Sequence, residues 1–152
     1  MRISAKVDYA ARAMCELASH TGDAPLKAEQ IANAQQIPLS YLENILVDLR
    51  RAGFVRSLRG QVGGYRMAKP ASSITVADVI RAVEGPLADV RGIRPEGIEF
   101  HGSATALRDV WLATRVSLRN VLEHVTIADV VAGAIPPDVA ELLEDPDALV
   151  PH

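Results

Sequence analysis

Between Arg50 and Lys69 the chain carries six cations (Arg50, Arg51, Arg56, Arg59, Arg66 and Lys69) and no acid. Such a block can neutralise the phosphates of a polyanion, or it can be a solvated face without a partner. Its setting is informative, because the chain as a whole is acidic, with a net charge of −3. Residues 1–70 hold ten Lys/Arg against six Asp/Glu, whereas residues 71–152 hold six against thirteen. The asymmetry points to a polyanion-binding face on a body that does not itself attract nucleic acid.

Other chemistry has less to work with. The single cysteine, Cys15, excludes an internal disulfide and any multi-thiolate zinc or iron–sulfur site within one chain. It falls near the apolar face of the first predicted helix, where an inert buried thiol is the usual case and a redox switch the alternative. Glu96, Glu99 and His101 could ligate a metal but are scattered over a loop, and His20, His124 and His152 share no spacing. Gly60-x-x-Gly63-Gly64 has no following Lys-Ser/Thr, so it is not a phosphate loop. No nucleophile–base pair is indicated, and neither enzyme activity nor a cofactor or metal is expected.

The elements that must position the cations can be read from periodicity. A first helix is expected from the N-cap Ser4 to about Ser19, with Val7, Ala10, Ala11, Met14, Leu17 and Ala18 on one face. A short second helix fits Lys27 to Ala34, and Pro38 opens a third from Ser40 to Ala52. In that third helix Leu42, Ile45, Leu46 and Leu49 form the buried stripe, while Ser40, Glu43, Asn44 and Val47 fall on the other side. Gly53 occupies the left-handed position after the helix. The period then changes to extended, and residues 54–68 read as a β-hairpin with a glycine-rich tip. Thr75 and Asp78 form a capping-box start for a helix that ends at Gly85-Pro86. Residues 85–102 look irregular.

A long helix is predicted from about Ser103 to His124. Its small or apolar residues Ala104, Leu107, Trp111, Thr114, Leu118, Val121 and Val125 alternate three and four apart, the spacing of a pairing seam. Leu107, Trp111, Leu118 and Val121 are the expected dimer contacts. Thr126 and Asp129 repeat the capping start for a last short helix, so Ile74–Val79 and Val125–Val130 echo each other. From Pro136 onward the tail carries five acids and no Lys or Arg. The division is therefore a DNA-binding head at 1–84 with its wing at about 54–68, a linker or effector loop at 85–102, a dimerisation helix and short helix at 103–135, and an acidic tail at 136–152.

The fold class is mainly α with a small β-hairpin wing, a winged helix-turn-helix followed by a long C-terminal dimerisation helix. A helix of this kind enters a major groove about 12 Å wide while the wing reaches the neighbouring backbone or minor groove. Arg50 and Arg51 end the recognition helix, and Arg56, Arg59 and Arg66 lie on the hairpin. The composition, 49% hydrophobic and 23% charged, excludes disorder. The longest run free of Asp, Glu, Lys and Arg, Gln30 to Leu42, is half polar and cannot span a bilayer. No signal-peptide pattern opens the chain, so a cytoplasmic protein is expected.

Several motifs go further: Met1-Arg2-Ile3-Ser4 with Asp8-Tyr9-Ala10, Ile37-Pro38-Leu39-Ser40-Tyr41-Leu42-Glu43, Leu49-Arg50-Arg51-Ala52-Gly53-Phe54-Val55, Ser57-Leu58-Arg59-Gly60, Gly63-Gly64-Tyr65 and Ala82-Val83-Glu84-Gly85-Pro86. Over roughly residues 1–130 the chain resembles the IscR/NsrR/CymR family of bacterial winged-helix regulators. The resemblance implies a homodimer that binds double-stranded DNA at pseudo-palindromic operators and usually represses. It places DNA contacts on Ser40, Tyr41, Glu43 and Asn44, with Arg59 reaching the minor groove. The chemistry of the side chains agrees: Glu43 can accept from cytosine N4, Asn44 can pair with adenine, and arginine suits a narrow A·T-rich minor groove. For Tyr41, a ring packed beside the helix start is the alternative to a phosphate contact, and for Glu43 a solvated acid. Many family members have Gln where this chain has Asn44, which would shift the preferred base step.

One departure matters more than the matches. Many members of that family hold an iron–sulfur cluster on three cysteines in the segment corresponding to residues 85–106, and this chain has none there. Asp8 occupies a position that supplies an oxygen ligand in some members; without cysteines it reads as a helix N-terminal charge near Arg12 at i+4. Two functions follow. The first is a dimeric DNA-binding transcription regulator, a repressor whose signal is a protein or small-molecule effector and not a cluster. The second is a protein-interaction module on the same fold, acting through the acidic tail or loop, since some cluster-free relatives are controlled by a sulfur-metabolism enzyme.

Overall fold

The computed structural model describes residues 2–150. Met1, Pro151 and His152 lie outside the described residues, and with them the first residue of the opening motif and the end of the acidic tail. The first three helices are α1 (Ala5–Ser19), α2 (Ala28–Gln35) and α3 (Leu39–Arg51). Ser4 caps α1 as expected, its hydroxyl accepting from the Val7 amide at 3.2 Å. Gln36 in the left-handed conformation (φ 52°) ends α2, and Pro38 opens α3. A strand pair follows, β1 (Val55–Leu58) against β2 (Gly64–Met67), antiparallel with Arg56 opposite Arg66. Gly53 has φ 76° in the turn before it, a conformation that favours glycine.

The wing is anchored more firmly than a bare hairpin. Leu26 and Tyr65 exchange both backbone hydrogen bonds, at 3.0 and 2.7 Å, adding a one-residue rung on the outer edge of β2 from the loop before α2. Gly64 permits that approach, because a Cβ there would stand 2.4 Å from the Leu26 carbonyl oxygen. The rung was not legible from a period-2 pattern, since a single residue carries it.

Next come α4 (Val76–Glu84), α5 (Leu107–Leu122), α6 (Ile127–Ala132) and α7 (Pro137–Ala140). Both Thr-x-x-Asp starts form full capping boxes, Thr75 with Asp78 and Thr126 with Asp129. The echo between them is more than two similar helix starts. The segments pair antiparallel, Val76 N–H donating to Val125 O and Ile127 N–H to Ile74 O, each at 2.9 Å. This pairing returns α6 to the head, where Ile127 is fully buried.

One boundary differs from expectation, and two segments hold more structure than their sequence announced. The long helix begins at Leu107, not Ser103, because Gly102–Ala104 first makes a 3-10 turn and no side chain caps the start. The segment at 85–102 is irregular but holds a second such turn at Pro95–Gly97, whose Pro95 is buried. The acidic tail is not featureless, since Pro137 starts α7 and Glu141–Glu144 continues as a 3-10 turn.

The core is one cluster. Met14, Ile31, Leu42, Ile45, Leu46, Leu49, Val55, Ile74, Val79 and Ile127 are its largest fully buried aliphatic side chains. All four stripe residues predicted for α3 are among them. Among the described residues, no helix is long and apolar enough to cross a membrane.

Candidate nucleic-acid interface

Burying Leu42, Ile45, Leu46 and Leu49 turns the opposite face of α3 outward, and Ser40, Tyr41, Glu43 and Asn44 are all exposed on it. Tyr41 is 60% exposed, yet its ring meets Tyr9 edge-on, with centroids 6.4 Å apart. The ring thus leans on α1 while most of it stays accessible. Tyr9 in turn carries the Arg12 guanidinium 5.5 Å above its ring, and Arg12 bonds Asp8 at 2.9 Å. Sequence reasoning anticipated the Asp8–Arg12 pair but missed Tyr9; its signal was an aromatic at i−3 from an arginine on the same helix. Asn44 Nδ2 donates to the Ser40 carbonyl at 3.0 Å, which holds the amide against its own helix and leaves its second N–H and Oδ1 unused.

The cationic block is divided between holding the head together and facing solvent. Arg50 donates to Ser57 Oγ at 3.3 Å, tying the end of α3 to β1. Arg51 is largely exposed, with Asp48 3.6 Å away, and Asp48 itself is held by Lys6 at 2.8 Å. Lys69 stands over the Phe54 ring at 5.6 Å. Arg56 and Arg66 sit directly opposite each other in the ladder. Like charges in that register repel, and the Nε of half-buried Arg66 has no hydrogen-bond partner. Arg59, in the tip just past β1, is exposed and forms no ion pair among the described residues.

On α5 the seam residues remain uncovered. Leu107 is 41% and Trp111 37% exposed, while Leu118 and Val121 are half-buried, and none of the helix's residues is buried. Val110 and Val116 add apolar surface that the seam spacing did not include. Val125 does not continue the seam: it is buried in the head through its pairing with Val76.

Among the described residues, those weighed for metal or redox chemistry are not gathered, and His152 lies outside them. Glu96 bonds Arg115 at 2.6 Å. Its own backbone N–H, and then that guanidinium, hold its carboxyl below the ordinary value. Burial pushes the half-buried Cys15 thiol up, away from the thiolate that metals and oxidants need.

Residues 3–133 match the model of the Rrf2 family, described as an iron-dependent transcriptional regulator. A Mycobacterium tuberculosis protein, Rv1287, provisionally named an HTH-type transcriptional regulator, is 48% identical over 145 residues, 95% of this chain and 90% of that protein. The HTH-type transcriptional regulator CymR of Bacillus subtilis is 35% identical over 129 residues, 85% of this chain and 88% of its own. The structure of CymR, the global cysteine regulator of B. subtilis, superimposes with a TM-score of 0.73 at 34% identity, covering 88% of this chain and 98% of that one. T. potens IscR gives 0.71 at 34% identity, covering 88% of each.

The iron in the description does not find its donors here. A cluster is held by several thiolates, but residues 85–106 contain no cysteine, and the one thiol of the chain lies on α1 with its pKa raised. Asp8, the other ligand position the resemblance suggests, is engaged by Arg12.

Proposed function

Because this chain belongs to the Rrf2 family of DNA-binding transcription regulators, which are not enzymes, we propose that it works in the cytoplasm as a homodimeric repressor of pseudo-palindromic operators, without an iron–sulfur cluster. The observation that carries this reading is the polar face of α3, Ser40, Tyr41, Glu43 and Asn44, standing exposed beside an acid-free run of six cations. Residues 1–84 form the reading head, 85–102 the effector loop, 103–135 the dimer element and 136–152 an accessory tail. Glu43 and Asn44 read base edges, Ser40 and Tyr41 seat the helix end, and Arg59 enters the minor groove. Arg50, Arg51, Arg56 and Arg66 hold phosphates, which fixes register without selecting sequence. Leu107, Trp111, Leu118 and Val121 meet their counterparts in a second copy, placing two recognition helices about one or two turns apart on the duplex.

A gel shift and footprint on the DNA upstream of the protein's own coding sequence tests this. A protected near-palindrome, bound by a colourless protein, is expected. Binding of equal strength to unrelated DNA at physiological salt overturns it. A second reading has one observation in its favour: Leu142 and Leu143 stand 55% and 69% exposed on the acidic tail, a surface for a protein partner. On this reading the partner is an enzyme of sulfur or cysteine metabolism, the kind the family resemblance implies. In that case DNA binding is secondary, and the footprint fails while the partner is retained.

A further inference from the structure

The acidic half of the chain has six Lys/Arg, and four of them line one cavity. Arg81 comes from α4, Arg94 from the loop, and Arg115 and Arg119 from α5; buried Leu87 and Pro95 form the apolar part of the wall. The cavity measures about 300 Å³, room for about ten waters at liquid density. It shares no residue with α3 or the wing. Against the four guanidinium groups the lining sets two carboxylates, Asp89 and Glu96. Asp89 is occupied with the Gly92 amide at 3.0 Å.

The partners these arginines already have define what they recognise. Arg115, only 23% exposed, donates Nη1 to Glu96 at 2.6 Å. Arg119 reaches both oxygens of Glu123 through Nε, at 3.0 and 3.1 Å, and Arg81 bonds Glu123 and Asp78. Arg94 has no ion pair within 4.0 Å among the described residues. Guanidinium forks prefer carboxylates in planar pairs. Glu96 sits on the short Pro95–Gly97 turn and is itself 44% exposed, so it can leave Arg115 without disturbing the core.

We propose that this cavity binds a small organic dicarboxylate, one carboxylate taking the place of Glu96 on Arg115 and the other meeting Arg94. Glu96 is then a resident competitor, and occupancy removes the Glu96–Arg115 tie between the Pro95–Gly97 turn and α5. The binding itself does not depend on DNA. Only its consequence for operator affinity rests on the reading given under Proposed function, because that tie joins the loop to α5.

Isothermal titration of the full chain at low salt, without DNA, tests the site with succinate and with inorganic phosphate as probes. Succinate is expected to bind once per chain. Arg94→Ala and Arg115→Ala should each weaken it by about tenfold or more, the loss of one charge-assisted hydrogen bond. Glu96→Gln should tighten it, and Arg59→Ala should leave it unchanged. Circular dichroism monitors folding, and the loop variant Arg94→Ala decides alone if Arg115→Ala unfolds. No succinate binding at millimolar concentration overturns the proposal. So does an equal loss in Arg59→Ala, which would move the site to the wing, or binding of phosphate without succinate, which would exclude the dicarboxylate class.

Discussion

The head and α5 are written with the same apolar residues at helical spacing, yet only the head covers them. Its α1, α3 and α4 stripes close on one another and on Ile127, leaving Met14, Leu46 and Val79 with no exposed surface. Along α5, an equally regular stripe from Leu107 to Val121 stays open or half-open. Regular spacing thus says that a face will be buried without saying by which chain. The largest test of the contrast is Leu118→Glu. If a second copy covers α5, the substitution sets two unpaired carboxylates into the seam, at a cost of several kcal/mol. Light scattering should report monomers with weak, sequence-blind DNA binding, while the circular dichroism of the head persists. A variant that remains dimeric with unchanged operator affinity places the seam elsewhere.

The head should answer in the opposite way. Leu46 is fully buried in the cluster, so Leu46→Ala should cost about 2–5 kcal/mol in urea unfolding. That loss should show when dimer dissociation is already complete. If Leu46→Ala instead costs no more than Trp111→Ala under those conditions, the head is not the self-contained half of the comparison.

Arg59→Ala sharpens the contrast from a third side. An exposed residue at the wing tip supports neither core nor seam, so unfolding and association should be unchanged. Operator affinity should fall by about 1–3 kcal/mol, with preference relaxed at an A·T-rich position, whereas Arg51→Ala should weaken all sequences alike and flatten the salt slope by about one unit. Equal binding by wild type and Arg59→Ala at physiological salt removes the wing from the mechanism.

What was legible in the sequence follows the same divide. Ser4, Thr75 and Thr126 announced their helices because a cap is a local device, readable within four residues. The α3 stripe was legible because one period decides it. The Leu26–Tyr65 rung, the Tyr9–Tyr41 contact and the four arginines around one cavity were not, since each joins residues that only the tertiary fold brings together. The tail was read by its charge alone, and the Pro136-Pro137 start that initiates α7 has no capping side chain to announce it. The Thr75 and Thr126 segments fall between these cases, repeated visibly in sequence and paired only in the fold. Thr126→Ala tests that junction: losing the cap should cost about 1 kcal/mol and loosen α6 from α1. Hydrogen exchange at Ile127, whose amide bonds Ile74 O, should accelerate more than exchange at Leu46. Uniform acceleration would mean that α6 unfolds only with the whole head.

The smallest effect belongs to the tail, whose one ion pair with the rest of the chain among the described residues joins His124 to Asp138. His124 Nδ1 and Asp138 Oδ2 are 3.0 Å apart, both more than half exposed, and exposed pairs contribute little to stability. The side-chain hydrogen bond from His124 is the main cause that holds the Asp138 carboxyl below its ordinary value of 3.8. A depressed carboxyl stabilises the folded form above the unfolded value and ceases to do so as pH falls through the folded one. The pair should therefore hold at neutral pH and open on acidification from about pH 4 downward, the range in which an ordinary aspartate titrates. The reporters are the Val139 and Ala140 amides, which bond Pro136 O at 3.0 and 2.9 Å. Their protection, corrected for intrinsic exchange and read against Leu46, should fall across that window in the wild type. In Asp138→Asn it should already be low at neutral pH and show no step, with the urea midpoint of the head unchanged. Wild-type protection that shows no such step would mean that the apolar side chains lining the cavity between tail and α5, Val121, Val139 and Leu142, hold the tail without the His124–Asp138 bond.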